Sequence, residues 1–197
     1  MTRTNLLDRR AVAAALLADR GDLLVVAGLG APAYDTAAAG DHPLTFPLWG
    51  AMGSAAMIGL GLALAQPGRS VLVLTGDGEM LMGLGSLATI GAQRPANLSI
   101  AVLDNERYGE TGAQATHTAL GVDLTAIAAA CGFAAETIRE MAAVEALRDR
   151  LKAGGGPLFA QIKIAPEMPP MVLPPREGTL LKTRFRAALL GPEAALE

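Results

Sequence analysis

The sequence predicts an α/β fold in which a mainly parallel central sheet is flanked by helices on both faces. Short aliphatic runs, such as residues 71–75 (VLVLT) and 98–103 (LSIAVL), alternate along the chain with longer segments of helical periodicity. Glycine, proline, aspartate or asparagine bound these runs, as is typical of buried strands. Because parallel strands need crossover connections that cover both faces of the sheet, the alternation favours a three-layer sandwich.

Helices are predicted where apolar residues recur every three or four positions. The predicted helices are residues 6–19, 33–39, 53–66, 80–92, 123–131, 141–152 and 179–190. Asp123 has the short polar side chain that favours a helix N-cap. Gly59 and Gly61 interrupt the third helix at a cost of about 1 kcal/mol each. We interpret both glycines as permitting close packing against the sheet.

Strands are predicted where short apolar runs end at turn residues. The predicted strands are residues 23–27, 44–46, 71–75, 98–103, 133–136 and 158–164. Five prolines then fall between residues 165 and 178, which predicts an extended strap before the last helix. We therefore expect one domain over residues 1–164, with the strap and C-terminal helix (165–197) packed on that domain or on a partner.

The composition of the 197-residue chain indicates a globular protein that associates with other subunits. Apolar residues make up 51% of the chain and charged residues only 18%, so we expect part of the apolar surface to be covered by a partner. The net charge of −3 offers no basic stripe for nucleic acid, and no apolar run is suited to spanning a membrane. The single cysteine, Cys131, excludes an internal disulfide and is expected to be a buried structural thiol. The expected location is the cytoplasm.

Two oxygen-bearing side chains follow two of the predicted strands. Asp77 lies in Gly76-Asp77-Gly78, after strand 71–75, and Asn105 follows strand 98–103. The carboxyl ends of parallel strands form the edge at which open α/β sheets bind ligands. Mg²⁺ prefers such oxygen ligands and shares its shell with substrate phosphates. A GDG alone is weak support, but the pairing with Asn105 predicts a magnesium-diphosphate site.

This arrangement resembles the motif of the thiamine diphosphate enzymes, which is GDG, a spacer of one helix and one strand, and then Asn. Three segments resemble more narrowly the β subunits of sulfopyruvate and phosphonopyruvate decarboxylases. They are residues 48–64 (LWGAMGSAAMIGLGLAL), 76–90 (GDGEMLMGLGSLATI) and 103–117 (LDNERYGETGAQATH). The resemblance implies the thiamine diphosphate-binding fold, a diphosphate-binding domain, and thiamine diphosphate and Mg²⁺ as cofactors.

The resemblance also implies roles for individual residues. The metal ligands would be the side-chain oxygens of Asp77 and Asn105 and the backbone carbonyl of Arg107. The cofactor-binding residues would be Gly50, Ala51, Met52, Gly76, Gly78, Glu79, Asn105, Arg107, Tyr108 and Gly109. Met52 would wedge between the two rings of the cofactor, while the Gly50 carbonyl and the Met52 amide would bind the pyrimidine edge. Glu79 departs from the family pattern, since a carboxylate beside a diphosphate is unfavourable unless it points away or is paired.

Two residues are candidates for contact with the substrate. Thr111 stands where relatives place a substrate-facing side chain, and His117 is a candidate proton donor or anion-binding residue. The family activates its cofactor with a glutamate on a separate pyrimidine-binding domain, and no residue of this chain can be assigned to that role. We therefore expect an α subunit that carries this domain and completes an α/β heteromer.

The function implied is decarboxylation of a small 2-oxoacid with a second anionic group, by the β subunit of a carboxy-lyase. The decarboxylases that the chain resembles tend to carry a Ser-Arg pair in the segment that corresponds to residues 30–34, and this chain has no arginine there. If that arginine binds the substrate anion, another 2-oxoacid would be preferred. Alternatives are the β subunit of a 2-oxoacid:ferredoxin oxidoreductase, whose cluster cysteines Cys131 alone cannot supply, a carboligase, and a non-catalytic cofactor-binding module.

Overall fold

The computed structural model describes residues 6–195. Within that range, six parallel strands form the central sheet in the order β2-β1-β3-β4-β8-β7. The strands of this sheet are β1 (Leu24–Ala27), β2 (Thr45–Pro47), β3 (Val71–Gly76), β4 (Leu98–Asp104), β7 (Ala134–Ile138) and β8 (Leu158–Lys163). A separate antiparallel hairpin, not predicted from the sequence, is formed by β5 (Arg107–Tyr108) and β6 (Gln114–Ala115). The parallel α/β fold is confirmed.

Helices cover both faces of the sheet. They are α1 (Arg9–Leu17), α2 (Ala31–Ala38), α3 (Ala55–Ala65), α4 (Asp77–Met82), α5 (Ser86–Gln93), α6 (Leu124–Ala130), α7 (Met141–Ala153) and α8 (Gly178–Leu190). Alternate strand residues enter two separate cores. Val71 and Val73 pack with α3, α5 and α6, whereas Leu72 and Leu74 pack with α1 and α7. The predicted three-layer sandwich follows from this alternation.

The prediction of one continuous helix over residues 80–92 is wrong. The segment forms α4 and α5, with a break at residues 83–85. A Cβ atom on Gly83 would lie 2.1 Å from the carbonyl oxygen of Gly53, so the two backbones touch where the helix is interrupted. This contact brings the start of α3 next to the GDG turn. Helix α4 also begins earlier than predicted, at Asp77 itself.

The two glycines of α3 have different environments. A Cβ atom on Gly59 would lie 2.2 Å from Val73 Cγ2 of β3, whereas one on Gly61 would meet no atom within 4 Å. The packing role predicted for Gly59 is therefore confirmed, and the same role predicted for Gly61 is wrong. The exposed side of α3 carries Met57, Ile58 and Leu64, which are 41%, 37% and 52% exposed.

The strap and the last helix pack on the same chain. Residues 165–177 form no helix or strand, and two of their carbonyls accept hydrogen bonds: Pro170 from Arg10 Nη2 at 2.6 Å and Pro175 from Trp49 Nε1 at 2.7 Å. Helix α8 packs against β2 through an edge-on contact of Phe185 with Phe46, whose ring centroids are 5.6 Å apart. None of the helices between residues 6 and 195 combines the length and apolar character needed to cross a membrane.

Substitution of the two α3 glycines should change stability in opposite directions. Gly59→Ala should lower the free energy of unfolding by about 1–3 kcal/mol, because the added methyl group overlaps Val73. Gly61→Ala should raise it by up to about 1 kcal/mol, because alanine favours a helix and meets no obstacle. Urea unfolding of the isolated chain measures both effects, and equal effects of the two substitutions would contradict this account of α3.

Candidate active site

A cavity of about 280 Å³ opens at the carboxyl ends of the central strands. It lies where β1, β3 and β4 end, beside the β5–β6 hairpin and the strap. Most of the residues assigned from the sequence line it, namely Met52, Gly76, Asp77, Gly78, Glu79, Asn105, Arg107, Tyr108, Gly109 and Thr111. The structure thus brings together three segments that are distant in the sequence.

Asp77 is a buried, hydrogen-bonded side chain of the cavity. It is 1% exposed, and its Oδ2 atom accepts a hydrogen bond from Thr116 Oγ1 at 2.5 Å and lies 3.3 Å from Thr118 Oγ1. Burial, together with the nearby negative charge of Asp104, raises the pKa of Asp77 to about 6, although the hydrogen bonds from Thr116 and Thr118 act in the opposite direction. Neither threonine contacts Oδ1, which leaves this oxygen for a cation.

Asp104, at the end of the neighbouring strand, has a different environment. Its Oδ2 accepts hydrogen bonds from Gln161 Nε2 and from Lys163 Nζ, both at 2.6 Å, and its Oδ1 accepts one from Thr118 Oγ1 at 2.9 Å. The Lys163 ammonium, whose pKa these contacts raise although burial alone would lower it, neutralises the carboxylate. Asp104 is therefore a structural group that positions Thr118 beside Asp77.

Asn105 occupies a tight turn directly after β4. Its Oδ1 accepts a hydrogen bond from the backbone amide of Arg107 at 3.0 Å, which is an Asx turn. Glu106, between them, has a left-handed backbone with φ of 62°, a conformation that is uncommon for residues other than glycine and that clusters at functional sites. The turn directs Asn105 into the same cavity as Asp77.

Met52 and Tyr108 close over the glycine of the GDG turn. A Cβ atom on Gly78 would lie 2.6 Å from Tyr108 Cε1 and 3.6 Å from Met52 Cε, so only a glycine fits without displacing the tyrosine ring. Ala51, just before Met52, also has a left-handed backbone, with φ of 57°. The strained turn holds Met52 in the cavity, while Gly50 and Ala51 are exposed and do not line it.

Glu79 is buried and hydrogen-bonded. It is 3% exposed, and its Oε2 accepts hydrogen bonds from Leu29 N at 3.0 Å and Thr75 Oγ1 at 2.9 Å. A Cβ atom on Gly28 would lie 2.0 Å from the same oxygen, so the position directly after β1 requires a glycine. Burial raises the pKa of Glu79. The carboxylate is thus paired with donors at the ends of β1 and β3, which is one of the two arrangements expected from the sequence.

Of the two candidates for substrate contact, Thr111 lines the cavity and His117 does not. Thr111 is at its rim, where its hydroxyl contacts Gln114 Oε1 at 3.1 Å. His117 is exposed and does not line the cavity, because the buried residues on either side of it, Thr116 and Thr118, are the ones that face Asp77. The proton-donor role of His117 stays a prediction, without support from its position.

The residues present fit a magnesium ion bound to a diphosphate. Such an ion needs hard oxygen ligands, and Asp77 Oδ1 and Asn105 Oδ1, at adjacent strand ends, are the side-chain oxygens that would hold it. The Arg107 carbonyl lies on the same turn. Among the residues at the site that sequence reasoning missed are Thr116 and Thr118, which contact Asp77, and Arg9 and Met168, which line the cavity. In the sequence, the only feature that could have indicated these two threonines is their position on either side of His117.

Comparison with known proteins agrees with this geometry. Residues 30–162 match the family described as thiamine pyrophosphate enzyme, C-terminal TPP binding domain. The chain is 43% identical over 145 residues to the sulfopyruvate decarboxylase subunit beta of Methanothermobacter thermautotrophicus, covering 74% of this chain and 75% of that protein. It is 40% identical over 177 residues to a phosphonopyruvate decarboxylase of Streptomyces viridochromogenes, covering 88% of this chain but 44% of that protein.

A solved structure shows the same fold. The benzoylformate decarboxylase of Polynucleobacter necessarius superposes on 87% of this chain and 36% of its own, with a TM-score of 0.71 and 18% sequence identity. The family match covers more than half of the chain, and the relative from Methanothermobacter aligns over three quarters of its length. The chain therefore belongs to the thiamine diphosphate enzyme family and carries its C-terminal cofactor-binding domain.

Proposed function

We propose that this chain is the β subunit of a magnesium-dependent 2-oxoacid decarboxylase of the sulfopyruvate or phosphonopyruvate type. The observation that carries the proposal is the placement of Asp77 and Asn105 at adjacent strand ends, in one cavity with Met52. The identities of 43% and 40% to relatives named for these two activities support the substrate class. The expected cytoplasmic location and the expected lack of nucleic-acid binding stay predictions.

The residues of this chain would bind and orient the cofactor. Asp77, Asn105 and the Arg107 carbonyl would hold Mg²⁺, with Thr116 fixing the rotamer of Asp77 through the 2.5 Å hydrogen bond. Met52 would support the bent cofactor, and Tyr108 would exclude water from the diphosphate end. When bound, thiamine diphosphate supplies a nucleophilic carbon and a sink for the electron pair left by departing CO₂. Thr111, at the rim, is the residue of this chain best placed to face a substrate.

We propose that an α subunit with a pyrimidine-binding domain completes the site. The segment assigned to the pyrimidine edge, Gly50 and Ala51, is exposed, as expected of residues that meet a second domain. The adjoining helix α3 presents Met57, Ile58 and Leu64 to solvent. Clusters of exposed apolar side chains are typical of interaction surfaces, and α3 begins three residues after Met52, which lines the cavity.

Decarboxylation should require both subunits. The full chain and its co-purified companion are assayed for CO₂ release from sulfopyruvate, phosphonopyruvate, pyruvate and phenylpyruvate, with Mg²⁺ and thiamine diphosphate present. We expect turnover of sulfopyruvate or phosphonopyruvate by the pair and none by the chain alone. Equal or greater turnover of pyruvate or phenylpyruvate would contradict the substrate class, and tight cofactor binding without turnover would favour a non-catalytic module.

Asp77→Asn should abolish metal-dependent cofactor binding without unfolding the protein. We expect the affinity for thiamine diphosphate with Mg²⁺ to fall by about 100-fold or more, since even groups that only orient a metal ligand are worth 10–100-fold. The ligand-free variant should be at least as stable as the wild type, because a buried carboxylate near Asp104 is unfavourable without a cation. Calorimetric titration and thermal unfolding measure the two effects. Asp123→Asn, which keeps an N-cap, is the matched control.

Thr116→Val should weaken cofactor binding less severely. The substitution keeps the shape of the side chain but removes the hydrogen bond to Asp77 Oδ2, and we expect the Mg²⁺ affinity to fall by about 10–100-fold. The control is Thr89→Val, at an exposed position of α5. An unchanged Mg²⁺ dependence of cofactor binding in Thr116→Val would show that this threonine does not position Asp77.

A further inference from the structure

Arg9 is a buried cation on the wall of the cavity that the sequence did not associate with the site. It is the first residue of α1, and it is 4% exposed. It nevertheless lines the cavity together with Asp77 and Asn105. Leu7, two residues earlier, pairs with Ile164 directly after β8, which places the start of α1 at the carboxyl edge of the strands.

The charge of Arg9 is only partly compensated. Arg9 Nε donates to Asp35 Oδ2 at 2.6 Å, and Arg10 Nε donates to the other oxygen of the same carboxylate at 2.8 Å. Asp35 has a side-chain exposure of 2%, so two guanidinium groups share one buried negative charge. Arg9, Arg10 and Asp35 together therefore carry one net positive charge.

The two arginines differ in what their remaining donors meet. Arg10 Nη2 donates to the Pro170 carbonyl at 2.6 Å, and Arg10 does not line the main cavity. Arg9 Nη1 meets the sulfur of Met168 at 3.7 Å, which is a weak acceptor. Within residues 6–195, no carboxylate or carbonyl oxygen accepts a hydrogen bond from Arg9 Nη2. Arg9 therefore presents donors to the cavity that an anion bound there could use.

The anion with the best fit is a diphosphate. The cation site at Asp77 and Asn105 opens into the same cavity, and protein-bound Mg²⁺ usually shares its shell with phosphate oxygens. A diphosphate on one magnesium ion keeps negative charge, and Asp77 adds more. The planar fork of an arginine matches two phosphate oxygens. Glu110 also lines the cavity, but it contacts Tyr34 at 3.4 Å and forms no ion pair with Arg9 in the described chain.

We propose that Arg9 binds the diphosphate group of the cofactor, through the guanidinium donors that Asp35 leaves open. This inference rests on the proposed function, since it assumes that thiamine diphosphate occupies the cavity. Asp35 holds the guanidinium in place, and Met168 of the strap covers it. Arg9 is thus a cofactor-binding residue contributed by the first helix, far in sequence from the GDG turn.

Arg9→Gln and Arg10→Gln form a matched pair, because each removes one guanidinium from Asp35. Binding of thiamine diphosphate and of inorganic diphosphate, both with Mg²⁺, is measured by calorimetry on the full chain and on its complex with the companion subunit. We expect Arg9→Gln to lower the affinity for both ligands by about 10–100-fold, as is typical when hydrogen bonds to a charged group are lost. Arg10→Gln should leave both affinities within about threefold of the wild type. Arg9→Lys keeps the charge and should recover part of the loss, and it replaces the glutamine variant if that variant does not fold.

Three outcomes would overturn the proposal, each for a different reason. Equal losses in the two glutamine variants would show that Arg9 acts only by holding Asp35. Unchanged affinity for both diphosphates in Arg9→Gln, with a raised KM for phosphonopyruvate, would assign Arg9 to the substrate anion instead. Failure of the wild type to bind either diphosphate would overturn the proposed function, and the role of Arg9 with it.

Discussion

The close approach of two buried carboxylates, Asp77 and Asp104, is the constraint on which the site depends. Both stand at the ends of central strands, and mutual repulsion would separate them if nothing intervened. Thr118 contacts both carboxylates, and Thr116 contacts Asp77 and Thr118. Each hydroxyl has one proton, so Thr116 donating to Asp77 and Thr118 donating to Asp104 gives each carboxylate one hydroxyl donor.

The two carboxylates then take different roles because the cations around them differ. Lys163 and Gln161, on the neighbouring strand β8, saturate Asp104. Asp77 receives hydroxyl groups but no cation from the described chain. The parallel register of β3, β4 and β8 therefore produces one carboxylate that is paired with a cation and one that has no cationic partner in the described chain.

The sequence was sufficient for the parts of the fold and site that depend on local patterns. Strand periodicity predicted the sheet, and the turn residues after two strands predicted Asp77 and Asn105. The interruption between α4 and α5 could not be predicted from helical periodicity, because it results from contact of Gly83 with the backbone of Gly53. Arg9 was missed for a similar reason, since its place in the cavity depends on how α1 packs against Asp35 of α2. Within residues 116–118 the sequence indicated His117 as a candidate, because an imidazole can donate a proton. The structure instead buries the flanking Thr116 and Thr118 beside Asp77.

The exposed side of α3 has a consequence for how the protein is produced. Met57, Ile58 and Leu64 would have to remain in water for as long as the subunit exists alone. Such a surface invites non-specific association of nascent chains at high concentration. If the proposed α subunit covers this surface, synthesis of the two chains in equal amounts would keep these side chains out of water.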